Sequence, residues 1–118
     1  MKTNIEKGQI GERIAENYLE NNGYKIVETN FRNKIGEIDI IASKENNLIF
    51  VEVKSRTSLN YGYPYEAVNY KKQNKIIRTS LLYIQYKNLK HKQLRYDIIE
   101  VFLASIPKIN HIENAFSL

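Results

Sequence analysis

From Gly36 to Lys54 the apolar residues fall on every second position in two short runs. In the first, Ile38, Ile40 and Ala42 share one face, and Glu37, Asp39, Ile41 and Ser43 share the other. In the second, Ile49, Val51 and Val53 alternate with Leu48, Phe50, Glu52 and Lys54. A period of two predicts a pair of strands. The polar Lys44-Glu45-Asn46-Asn47 between them predicts a four-residue hairpin loop. Ser43 then faces Leu48, and Ile38, Ile40 and Ala42 face Val53, Val51 and Ile49 across a wholly apolar surface. On the opposite face the same register sets Asp39 across from Glu52 and Glu37 across from Lys54. Like charges directly opposed in a sheet destabilise it by about 0.2–1 kcal/mol. The pair therefore calls for a compensating charge, which a divalent cation supplies. A two-residue loop at Asn46-Asn47 keeps the same faces, whereas a bulge or an odd-length loop breaks the argument.

The period changes to helical between Ile5 and Asn22. Ile10, Ile14, Tyr18, Gly11, Ala15, Gly8 and Leu19 fill one arc of the wheel, with Glu12 at its rim. The small residues Gly8, Gly11 and Ala15 allow close approach of a neighbouring element, and Asn22-Gly23 is a stop signal. Residues 24–31 predict a first strand, with 30–34 as the turn into the hairpin. Ser55–Pro64 predicts a loop carrying Arg56, Tyr61 and Tyr63. A second helix starts at Glu66 or Tyr70 and runs to Tyr86. Its apolar arc holds Tyr70, Ile76, Ile77, Ser80, Leu81, Tyr83 and Ile84, and Lys71, Lys75 and Arg78 lie on the opposite side. Asn88–Gln93, with His91, predicts a charged loop and Leu94–Ala104 a last strand. Residues 107–118 predict no defined structure, and His111 within them reads as a solvated side chain. The predicted order is helix, three strands, helix, strand.

Composition narrows the function classes. A chain of 118 residues with 42% hydrophobic and 26% charged residues fits one globular domain spanning 1–118. Its N-terminus lacks the apolar core of a signal peptide, and no apolar run reaches membrane-spanning length. The absence of cysteine excludes disulfides and thiolate metal sites and agrees with a reducing cytoplasm. The net charge of +5 is unevenly spread. Seven Lys/Arg against nine Asp/Glu leave residues 1–53 at −2, and eleven against four leave residues 54–118 at +7. A basic half suits a polyanion partner, with a solvated basic surface as the equal alternative on composition alone.

Asp39 on one strand and Glu52-x-Lys54 on its neighbour are the parts of a metal-assisted phosphodiester site. Mg²⁺ takes oxygen ligands and is commonly held by one or two carboxylates. Lys54, two residues from Glu52, shares its face and would place an ammonium near the nucleophile and the phosphate. There is no Gly-rich phosphate loop, no nucleophile elbow and no histidine pair at metal spacing. Taken alone, an exposed Glu-x-Lys is more often a surface ion-pair ladder. Glu12 reads by default as a solvent-side charge near a helix start, with a carboxylate pointing over the sheet toward Asp39 and Glu52 as the alternative, Gln73 as either a backbone-bonded amide or part of a buried polar site, and Asp97 as a structural acid paired with Lys or Arg.

Several segments in order carry a resemblance. These are Gly8-x-x-Gly11-Glu12-x-x-Ala15-x-x-Tyr18-Leu19, Gly23-Tyr24, Asn30-Phe31-Arg32, Gly36-Glu37-Ile38-Asp39-Ile40-Ile41-Ala42, Phe50-Val51-Glu52-Val53-Lys54-x-Arg56, Gly62-x-Pro64, Glu66-Ala67-Val68, Lys72-Gln73 and Tyr96-Asp97. Over nearly its whole length the chain resembles the YraN-like family of small bacterial proteins. That family is similar to the PD-(D/E)xK nucleases and, within them, to archaeal-type Holliday junction resolvases. The resemblance implies an α/β restriction-endonuclease-like core, a central mixed sheet flanked by helices. It implies Asp39 and Glu52 as ligands of Mg²⁺ or Mn²⁺, Lys54 as catalytic lysine, Glu12 as a supporting carboxylate, and Lys72 and Gln73 as helix residues facing the site. Ile38 stands where the superfamily pattern has proline.

The resulting expectation is a cytoplasmic, metal-dependent nuclease acting on structured DNA in preference to RNA. Arg56, Lys71, Lys72, Lys75, Arg78 and the Lys87–Arg95 cluster would contact phosphates, and a homodimer would suit a junction substrate by analogy. The rival is a nucleic-acid-binding protein on a nuclease scaffold that does not cleave. A third reading is a structural domain whose Asp39, Glu52 and Lys54 neutralise one another.

Overall fold

A computed structural model describes residues 2–57, 68–89 and 93–117. Helix α1 spans Asn4–Asn21 and is followed by strands β1 (Lys25–Arg32), β2 (Glu37–Lys44) and β3 (Asn47–Arg56). Helix α2 (Tyr70–Lys87) leads to β4 (Gln93–Phe102) and β5 (Lys108–Phe116). The strands form one sheet in sequence order, antiparallel except for the parallel pair β3–β4 that α2 connects. This is the α/β architecture of a restriction-endonuclease-like core, a mixed sheet with a helix on each face. The predicted six elements are present within a few residues of their expected bounds. The seventh, β5, forms where no defined structure was expected.

Local chemistry explains the helix ends. Thr3 caps α1 in a reciprocal box, its hydroxyl accepting from Glu6 N–H while the Glu6 carboxylate accepts from Thr3 N–H. Asn69 caps α2 by accepting from Lys72 N–H at 2.9 Å. The helix ends at Asn88 in the left-handed region, φ 54°.

Both sheet faces are apolar, because each is covered by a helix. On the α1 face Ala15 and Leu19 pack over Ile40, Ala42, Ile49, Val51, Ile99 and Val101. On the α2 face Ile76, Ile77 and Tyr83 pack over Ile41, Leu48, Phe50, Tyr96 and Ile98. Phe50 stacks on Tyr96 with centroids 5.5 Å apart, and Ser80 hydrogen-bonds the Tyr96 hydroxyl at 2.7 Å. On α1, the close approach belongs to Gly11, where an added Cβ would collide with Ser55 Oγ; at Gly8 it would meet nothing. On α2, Tyr70 and Leu81 are exposed and do not join the core.

The hairpin keeps the predicted register for half its length. Ser43 faces Leu48, Ala42 faces Ile49 and Ile40 faces Val51, with a loop of two residues instead of four because Lys44 pairs with Asn47. Beyond Ile40 the β2–β3 pairing ends, so Ile38–Val53, Asp39–Glu52 and Glu37–Lys54 are not ladder pairs. The cause lies in β1. Asn30 adopts φ 52°, a conformation that asparagine tolerates better than most residues. It stands between the pairs Thr29–Ile40 and Phe31–Ile38. Across this kink the strands exchange faces: Ile40 packs on the α1 side, whereas Ile38 and Phe31 pack with the α2 cluster. The kink opens β2 away from β3 at Asp39.

Candidate active site

Asp39 fills the gap left by that opening. Its Oδ2 accepts the Val53 N–H at 2.8 Å, a bond a regular ladder would give to a backbone carbonyl. The side chain is thereby fixed against β3, next to Glu52. Glu52 is buried, and its Oε1 lies 3.2 Å from Lys72 Nζ in the first turn of α2. Glu12 comes from the middle of α1, near enough for its carboxyl and that of Asp39 to interact. Glu12, Asp39, Glu52, Val53 and Arg56 line one open cleft of about 680 Å³. The sheet thus brings Asp39 and Glu52 together as the sequence predicts, through a kink and not through a cross-strand pair.

The electrostatics are those of crowded acids. Burial and the neighbouring Glu52 charge push the Asp39 carboxyl up to about 8, against the opposing Val53 hydrogen bond. Burial, followed by the charges of Glu37 and Glu16, also raises Glu12. Lys54 is half-buried, and burial together with Lys72 lowers it from the ordinary lysine value. For Lys72 burial acts in the same direction, but contact with Glu52 outweighs it and the net shift is upward.

This donor set fits a hard divalent cation. Its side-chain donors are all oxygen, and burial has partly dehydrated Asp39 and Glu52. Among the described residues no three His, Cys, Asp or Glu side chains are drawn together as a complete metal centre. Asp39 and Glu52 are the pair in place, with Glu12 behind Asp39, and Mg²⁺ ordinarily needs only one or two protein carboxylates.

The remaining predicted residues divide. Gln73 donates from Nε2 to Val68 O at 2.8 Å, the backbone-bonded arrangement, at the end of the helix nearest the site. Lys71, Lys72 and Lys75 line a second cavity of about 390 Å³ with Gly36, Glu37, Asn69 and Ile76. Lys71, Lys75 and Arg78 are exposed. Arg56 lines the cleft, but its guanidinium is engaged by the buried Glu100. From the Lys87–Arg95 cluster, Arg95 is held by Asp97, and Lys90, His91 and Lys92 lie outside the described residues. Residues 58–67, including Tyr61, Gly62, Tyr63 and Pro64 of the predicted loop, also lie outside them.

Asp97 is the structural acid that the sequence suggests, and it is fully buried. It accepts from Arg95 Nε and Nη2 at 3.0 and 2.8 Å and from Asn114 N–H at 2.9 Å, and it hydrogen-bonds His111 Nε2 at 2.7 Å. His111 is not the solvated side chain expected. Its side chain is 8% exposed, and Nδ1 is hydrogen-bonded to the Tyr18 hydroxyl at 2.9 Å. The sequence offered no sign of this, because the partner residues come from α1, β4 and β5.

Residues 11–101 match the family described as Uncharacterised protein family UPF0102, the YraN family. The chain belongs to the UPF0102 family. It is 53% identical over 113 residues to a UPF0102 protein of Caldanaerobacter subterraneus subsp. tengcongensis, covering 92% of this chain and 93% of that one. It is 54% identical over 113 residues to one of Clostridioides difficile strain 630, covering 96% and 98%. A UPF0102 protein of Persephonella marina is 47% identical over 112 residues, covering 95% and 94%. The segment matched to UPF0102 contains Glu12, Asp39, Glu52, Lys54, Lys72 and Gln73, and ends before β5. Among the described residues no helix is long and apolar enough to cross a membrane.

Proposed function

We propose that the chain is a divalent-metal-dependent nuclease that hydrolyses phosphodiester bonds of structured DNA. One observation carries the reading: the kink at Asn30 and Asp39 sets two carboxylates from neighbouring strands side by side in an open cleft, with Lys72 in contact with Glu52. A fold alone does not assign an activity. A costly gathering of acids beside lysines is better support.

Asp39 and Glu52 would hold Mg²⁺ or Mn²⁺, supported by Glu12. Bound there, such an ion lowers the pKa of water and polarises the phosphodiester. The chain's own groups do the rest. The Val53 N–H holds the Asp39 carboxylate in one orientation, and Glu12 lines the same cleft. Lys54 carries its proton at Nζ less tightly than an exposed lysine, which suits it to exchange with the attacking water and to face the charge gathering on the phosphate. Gln73 ties the start of α2 to Val68, steadying the turn that presents Lys72. The exposed Lys71, Lys75 and Arg78 give a path for the phosphate backbone, contacts that position DNA without reading its sequence. Nothing in the chain resembles a base-reading helix, which favours recognition of DNA shape.

The contact of Lys72 with Glu52 favours a second reading, binding without cleavage, in which the lysine permanently neutralises the acid. Purified protein incubated with Mn²⁺ or Mg²⁺ and duplex, single-stranded, flap, four-way-junction and RNA substrates separates the two. The nuclease reading expects metal-dependent cutting that Asp39→Ala and Lys54→Ala abolish. Salt-sensitive binding with no cutting by any of them would establish the second reading instead.

A further inference from the structure

Lys72 occupies an unusual position. Its side chain is 44% exposed, yet its Nζ reaches to 3.2 Å from a Glu52 carboxylate that is 8% exposed. Among the described residues it is the cation in ion-pair contact with the site's acids; Lys54, on the same strand as Glu52, makes no such pair. Lys72 also lines the basic cavity beside Lys71, Lys75 and Asn69. One side chain therefore lines the basic cavity and at the same time contacts an acid of the neighbouring cleft.

We propose that Lys72 is a resident counter-cation for Glu52 that an incoming divalent ion displaces, so that loading the metal releases an ammonium into the basic cavity. This rests on Asp39 and Glu52 being the metal site. The ammonium and the ion compete for the same carboxylate oxygen and repel each other at contact distance, so occupancy by one disfavours the other. Freed from Glu52, Lys72 joins Lys71 and Lys75 where the substrate's phosphates would pass. The positive charge that grips the backbone is then completed only when the site holds its metal. Such linkage makes metal and polyanion mutually reinforcing, since each favours the same position of Lys72.

Calorimetric titration of Mn²⁺ into metal-free wild type, Lys72→Met, Lys72→Arg, Lys71→Met and Asp39→Ala tests this without reference to cleavage. Removing the competitor should tighten Mn²⁺ binding by about two- to fivefold in Lys72→Met, the range that a partly exposed ion pair supports. Lys72→Arg keeps the cation and should bind no tighter than wild type. Lys71→Met removes an equal charge without the contact and should change affinity by less than about twofold. Lys72→Met binding no tighter than wild type, or Lys71→Met gaining as much, would overturn the displacement while leaving an Asp39-dependent metal site standing. Wild type that takes up no Mn²⁺ would remove the metal site and the displacement together. A second readout follows the wild-type protein with ¹³C-methylated lysines. Mg²⁺ should move the Lys72 signal, identified by its absence from Lys72→Arg, and a stationary signal at saturating Mg²⁺ would also overturn the proposal.

Discussion

Replacing Asp97 with alanine should cost more stability than removing any acid of the cleft. Asp97 is fully buried and makes four hydrogen bonds, two with Arg95, one with His111 and one with the backbone of Asn114. Breaking a buried ion pair by deleting one partner typically costs about 3–5 kcal/mol, because the remaining charge is stranded. Arg95 would not be wholly stranded, since it keeps the Tyr24 hydroxyl and lies 3.4 Å from Glu113. That places the expected loss at the lower end, about 3 kcal/mol, with β5 the element freed. For a chain of this size the loss corresponds to a fall in melting temperature of roughly 10 °C. The pH dependence supplies a second criterion. Burial raises the Asp97 carboxyl, but the bonds from His111, Arg95 and Asn114 outweigh it and hold the group below its ordinary value. A depressed folded pKa contributes stability above the unfolded value of about 3.9 and loses it as pH falls through the folded one. Urea unfolding should therefore show a gap of about 3 kcal/mol between wild type and Asp97→Ala at pH 7 that narrows at pH 3. A gap under about 1 kcal/mol at pH 7, or one that widens in acid, would refute this reasoning.

Two further substitutions probe how the sheet opens and how α1 lies on it. Gly11→Ala gains about 1 kcal/mol of helix propensity but drives a methyl into Ser55 Oγ, so thermal melts should show a net loss of about 1 kcal/mol that Ser55→Ala largely relieves; an unrelieved loss would place the strain elsewhere. At Asn30, with φ 52°, glycine should be tolerated and valine should cost about 1–2 kcal/mol. The valine variant should also lose any rise in melting temperature that Mn²⁺ gives wild type, because the kink holds Asp39 in place; an equal rise in both would separate the site from the kink.

Much of the architecture was legible because it is written locally. Alternation marked β2 and β3, the 3.6 period marked both helices, and Ser43 facing Leu48 followed from the polar run between the strands. The end β5 was not legible. Its residues alternate weakly, and what holds it is Asp97 on β4 reaching His111 and the Asn114 backbone, a pairing of distant positions that no periodicity reports. The basic residues were legible as charges and not as partners. Arg56 and Arg95 look like phosphate contacts in one dimension, yet each neutralises a buried acid, Glu100 on the neighbouring strand for Arg56 and Asp97 two residues along β4 for Arg95. Burial of an acid makes its nearest arginine structural, and burial is a property of the finished sheet.

The candidate site was legible for a reason that turned out to be incomplete. Simple alternation put Asp39 and Glu52 on one face, and the two do meet, but the ladder has already ended at Ile40 and Val51 when they do. A regular hairpin would have given Asp39 and Glu52 the same face as Ile41 and Phe50, beneath α2 and away from Glu12. The reversal at Asn30 turns Asp39 toward α1, into the cleft that Glu12 also lines, while Glu52 stays within reach of Lys72 on α2. Both helices therefore reach one pair of carboxylates through the break in the sheet. The residue that makes this possible is a single asparagine in β1, and its signal was only the tolerance of asparagine for a left-handed backbone. Repairing the ladder would stabilise the strands and would separate the groups that make the cleft a candidate site.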